Sequence, residues 1–155
     1  MTKEFYNLYN NLIKLSRNKN LYQNFIKQDT FSDRLIFFLI HFAFFIKIYK
    51  NENNTKILQD IYDFIFKQLE LSIREIGYGD QSINKKMKDY INFFHSIVSE
   101  IHFWDKLSNI EKKKILSSFI DDSIEIEHIL EYFELFKDEL SKKNLISYLN
   151  SVSNK

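Results

Sequence analysis

The sequence predicts an all-α protein: one compact domain of about seven to eight helices packed around a central apolar helix over residues 33–50. Three observations lead there. Proline is absent and glycine occurs only at Gly77 and Gly79, so the residues that tight hairpins and phosphate-binding turns require are both lacking. Apolar side chains recur at three- and four-residue spacing along most of the 155 residues. The stretch Leu35–Ile46 contains a single polar side chain, His41, the pattern of a helix buried on all sides.

The elements follow in chain order. Phe5, Leu8, Tyr9, Leu12 and Ile13 form a stripe that predicts a helix over 3–17, and a short helix follows around Leu21–Lys27. Thr30-Phe31-Ser32-Asp33 has the hydroxyl-to-carboxylate spacing of a helix start. The apolar helix it opens falls short of the roughly 20 residues that a bilayer span needs, because Asp33, Arg34, Lys47 and Lys50 bound it. A buried core helix is the expectation, and a membrane-dipping segment the lesser reading.

The loop Asn51–Asn54 breaks the pattern. A helix resumes over Thr55–Glu75 with Leu58, Ile61, Tyr62, Ile65, Leu69 and Ile76 in its stripe. It closes at Gly77, the residue type that ends helices in the left-handed conformation. The next helix starts near Ser82, buries Ile83, Met87, Tyr90, Ile91, Phe94, Ile97, Val98 and Ile101, and exposes Lys85, Lys86, Lys88 and Asp89. Ser108-Asn109-Ile110-Glu111 is a capping box for a helix ending near Ile120. Asp122–Glu125 can cap a helix over 124–140 that buries Ile126, Ile129, Leu130, Phe133, Phe136 and Leu140. A short helix around Leu145–Leu149 completes a single domain over 1–150 and leaves 151–155 as a frayed tail.

Composition removes several functions. With no Cys, thiolate metal sites, disulfides and cysteine nucleophiles are excluded. A formal net charge of +1 is far from the basic footprint of a nucleic-acid-binding domain, so DNA is not an expected partner. No window has the glycines of a nucleotide-binding loop or of a Gly-x-Ser-x-Gly nucleophile turn. Charge is nevertheless segregated: residues 1–60 carry nine basic and five acidic side chains, and residues 121–140 carry eight acidic and one basic. Such a separation can orient a docked partner, although a solvated face is its ordinary meaning. The N-terminal residues lack the pattern of a secretory or mitochondrial targeting segment, which points to the cytoplasm.

The candidates for chemistry are few. His41 inside an apolar helix is first a neutral, hydrogen-bonded core residue and second a haem or metal ligand. Glu125 and His128 stand in the Glu-x-x-His spacing of carboxylate-bridged di-iron bundles, which need two such motifs and two further glutamates; the sequence contains one. No catalytic constellation emerges, and neither a cofactor nor a small-molecule substrate is expected. The conspicuous segment is Arg74-Glu75-Ile76-Gly77-Tyr78-Gly79-Asp80, which places both glycines of the chain in one corner between helices. Gly77 can close one helix, Gly79 can be a second permissive position, and Asp80 can face the positive end of the next helix. A well-made turn and a partner-contact surface are equally good readings of it.

Those same residues carry a resemblance. Asp29-Thr30, Asp33-Arg34 leading into the apolar helix with His41, and the 74–80 corner followed by Ile83, Lys85 or Lys86, Met87 and Phe94 resemble the ubiquinol-cytochrome c chaperone family over about residues 20–100. These proteins are assembly factors of the cytochrome bc1 complex in alphaproteobacteria and mitochondria. Where the family usually follows its aromatic pair with Gly-Arg, this chain reads Phe93-Phe94-His95-Ser96. The resemblance implies an all-helical, non-enzymatic chaperone. Its client would be newly made cytochrome b, with the ribosome and a small helper protein as further partners and a peripheral association with the inner membrane. It also implies a partner-binding surface composed of Arg34, His41, Arg74, Glu75, Gly77, Tyr78, Gly79, Asp80, Lys86 and Met87, although Arg34 and Glu75 can equally pair within the fold. The competing classes are a helical metal- or haem-binding protein or enzyme using His41 or Glu125 and His128, and a membrane-surface scaffold.

Overall fold

The computed structural model describes residues 2–21, 31–120 and 125–153, and among these the chain is helical throughout, with no strand. Seven α-helices occur in the described residues: α1 (Thr2–Ser16), α2 (Phe31–Tyr49), α3 (Thr55–Ile76), α4 (Asp80–Glu100), α5 (Asn109–Phe119), α6 (Ile126–Ser141) and α7 (Leu145–Ser153). The start signal at Thr30, most of the short helix expected around Leu21–Lys27 and the capping residue Asp122 lie outside the described residues.

α2 is the axis of the fold, as its composition demands. Leu35 and every residue from Phe37 to Phe45 are buried, and burying a single Phe or Leu side chain contributes about 1.5–3 kcal/mol. Its neighbours arrive through aromatic contacts. Phe42 stacks on Phe94 of α4 with ring centroids 5.0 Å apart, Phe44 meets Phe133 of α6 at 5.6 Å, Phe38 meets Tyr9 of α1 at 5.7 Å, and Phe45 meets Tyr148 of α7 at 5.8 Å. A 3-10 turn at Trp104–Lys106, which the periodicity did not reveal, brings Trp104 edge-on to Phe44. The indole donates to Glu134 Oε1 at 2.6 Å, and Lys112 reaches the same carboxylate oxygen at 3.1 Å. This ties the 3-10 turn and α5 to α6.

Several boundaries move for identifiable reasons. α7 runs to Ser153 instead of stopping at Leu149, because Val152 is buried one turn beyond Leu149. Asn7 Nδ2 also donates to Ser153 Oγ at 3.1 Å, so residues 151–153 belong to the bundle and not to a frayed tail. α4 begins at Asp80, two residues before Ser82. Ile76 leaves the expected α3 stripe and is 54% exposed, whereas Ile73 is fully buried; the last turn of α3 reaches beyond the helices that cover the rest of it. The capping box at Ser108 and Glu111 forms with both reciprocal bonds, but Glu125 begins α6 without any side-chain cap.

Candidate surface at the helix corner

The chain turns from α3 into α4 through Gly77, Tyr78 and Gly79. Gly77 has φ +105°, its N–H closes on the Arg74 carbonyl at 3.0 Å, and a side chain there would be strained by the backbone alone. Gly79 is different. It has φ −72° and ψ 161°, an extended conformation open to any residue, and a Cβ added to it would meet nothing within 4 Å. The expectation of a second permissive position is therefore corrected: one glycine of the corner is required by conformation and the other is not.

Two contacts bind the corner across its bend. Arg74 Nη1 donates to Asp80 Oδ1 at 2.6 Å while Nη2 lies 3.8 Å from Glu70, and the adjoining carboxylates hold the guanidinium pKa above its ordinary value. Lys86 Nζ stands 4.6 Å above the Tyr78 ring, the arrangement of a cation–π contact. Asp80 thus serves the clasp as the first residue of α4. Every residue from Arg74 to Ser82 is exposed, including the apolar side chain of Ile76 and the Tyr78 ring at 43% exposure. The result is a braced projection with an apolar tip.

The expected site residues do not form one surface. Arg74, Glu75, Gly77, Tyr78, Gly79, Asp80 and Lys86 come together at the corner. Met87 follows Lys86 on α4 but points inward and is buried. Arg34 lies in a small cleft with Tyr9, Leu69 and Ser72, close to the C-terminal end of α3 and half-buried. His41 is fully buried, which corrects its placement on a contact surface. Its Nδ1 must carry a proton, because it approaches the Phe37 carbonyl at 2.6 Å and a carbonyl can only accept. Nε2 therefore accepts from the Tyr132 hydroxyl at 2.8 Å. Burial lowers the His41 pKa to about 4 and pushes the Tyr132 phenol up to about 12, so both remain neutral.

The other histidine candidate is also engaged: His128 donates from Nε2 to the Asn20 carbonyl. Among the described residues no group of three His, Cys, Asp or Glu is placed to hold a metal ion. No helix among them is long and apolar enough to cross a membrane. Sequence reasoning missed Ile76 as part of the surface and Tyr132 as the partner of His41.

The family model described as ubiquinol-cytochrome C chaperone matches residues 23–102, just over half of the chain. The chain belongs to the ubiquinol-cytochrome C chaperone family. No curated protein and no solved structure matches it. The matched region spans α2, α3 and α4, the buried axis and the corner hairpin. Membership supports a chaperone role in assembly of the cytochrome bc1 complex.

Proposed function

We propose that this chaperone holds newly made cytochrome b and delivers it to the assembling bc1 complex without transforming any small molecule, and that the 74–80 corner is where the client is met. The observation that supports the corner is apolar exposure at a defined bend: the Arg74–Asp80 ion pair spans a turn that bears the exposed side chains of Ile76 and Tyr78. A preordered apolar tip loses little conformational freedom on binding, so more of the contact energy appears as affinity. The basic side chains Lys85, Lys86 and Lys88 stand on the first turns of α4, where each can contribute about 1 kcal/mol of attraction to an anionic lipid surface. In this reading the protein works in the cytoplasm, peripheral to the inner membrane, with the ribosome and a small helper protein as further partners.

The test is a photoreactive side chain at position 78 in cells that make the bc1 complex. Capture of cytochrome b is expected, and Arg74→Glu should weaken it while the exchanged pair Arg74→Asp with Asp80→Arg restores it by rebuilding the clasp. Absence of capture, or normal capture by a folded Arg74→Glu protein, overturns the reading.

A further inference from the structure

At the end of the hairpin away from the corner, α3 and α4 leave a groove of about 390 Å³ between them. Leu58 and Tyr62 of α3, Phe94 and Val98 of α4 and Ile46 of α2 supply its apolar lining. Tyr62 and His95 join across it, hydroxyl to Nε2, at 3.0 Å. Leu58 lies eighteen residues before Ile76 on α3, which at 1.5 Å per residue puts the groove roughly 27 Å from the corner. Lys50 is the one charged residue lining it and makes no ion pair among the described residues.

We infer that this groove is a second docking site for the client and that it takes an apolar helix bearing a carboxylate at the end that meets Lys50; the inference rests on the chaperone reading above. Its walls are α-helical, so their backbone donors and acceptors are already bonded internally and offer an extended peptide nothing to pair with. A helix satisfies its own backbone and presents only side chains, the condition under which a membrane-destined segment can lie against an apolar wall. Side chains at i, i+3 and i+4 of such a helix would enter between Leu58 and Val98, and the ammonium of Lys50 would select the polarity in which the acidic end lies above α2. With one contact at the corner and one in the groove, the hairpin becomes a two-point holder, and linking two weak contacts in one client raises overall affinity without a new interaction.

The experiment uses the full chain with a photoreactive side chain at Thr55, in cells that make the bc1 complex. Cytochrome b should be captured, about tenfold less with Lys50→Glu or with Gln59→Trp, which fills the groove from an exposed position, and at an unchanged level with Lys50→Arg. A probe at Ile110, exposed on α5, should capture none. Unchanged helical circular dichroism and urea midpoint establish that each variant folds. Capture at position 78 but not at position 55, or capture at position 55 that ignores Lys50→Glu and Gln59→Trp, overturns the groove and leaves the client assignment standing. Failure of capture at both positions overturns the client assignment as well.

Discussion

Replacing His41 by Gln tests whether a buried neutral imidazole governs the acid sensitivity of this fold. His41 is fully buried with both ring nitrogens bonded, and its pKa falls from 6.5 to about 4 on folding, mainly because burial disfavours the charged ring. The unfolded chain therefore binds the extra proton first. Stability is fully present above about pH 6.5, declines as pH falls through the window from 6.5 to 4, and reaches its full loss below that window. A shift of one unit corresponds to 1.36 kcal/mol, so the whole displacement amounts to about 3 kcal/mol, of which about 2 kcal/mol is lost between pH 7 and pH 5. Urea unfolding at those two pH values, for the wild type and for His41→Gln, isolates the contribution because all other titrating groups are common to both proteins. The wild type should lose about 2 kcal/mol more than the variant over the interval. Equal losses in the two proteins, or a His41 ring resonance that titrates near 6.5, would refute the assignment of a neutral, doubly bonded core histidine.

Gly77→Ala should lower stability by about 1–2 kcal/mol, because the residue keeps φ +105° and an alanine there carries the left-handed penalty; an unchanged urea midpoint contradicts that backbone. Gly79→Ser should leave stability level or slightly raised, since serine is at least as good as glycine at the N-terminal cap of α4. The same variant should depress bc1 complex levels in cells, and normal levels remove Gly79 from the contact. Ser108→Ala removes the hydroxyl that accepts from the Glu111 N–H and leaves the reciprocal bond from the Ser108 N–H to the Glu111 carboxylate; it should cost about 1 kcal/mol, measured as a lower unfolding midpoint.

The sequence revealed most where one physical constraint acts alone along an element. α2 was legible because a helix apolar on every face has one place to go, and the Gly77 terminus because left-handed backbone selects so strongly for glycine. Legibility failed where burial depends on what a neighbour happens to cover. Ile76 satisfies the seven-residue spacing from Leu69, yet the last turn of α3 is uncovered, and Ile73 takes the buried position instead. It failed again for polar partners far apart in the chain. Nothing local to His41 announces Tyr132, 91 residues away, and nothing near Trp104 announces Glu134. The signal for α7 was present and underread: Leu145, Tyr148, Leu149 and Val152 continue a single buried face through Ser153.

Within the candidate site the two glycines show how far each kind of reasoning extends. Composition marks both as unusual, because the chain contains no others. Backbone geometry then accounts for Gly77 completely and for Gly79 not at all, since its conformation is ordinary and the space around its Cα is open. A bare Cα on the exposed side of a braced turn permits another chain to approach the backbone more closely than any side chain would allow. The contact between Arg74 and Asp80 does not involve position 79. Position 79 is therefore where folding and binding make separable demands. A substitution that the fold tolerates and assembly does not would locate the contact more sharply than any change at Gly77, where loss of shape and loss of contact arrive together.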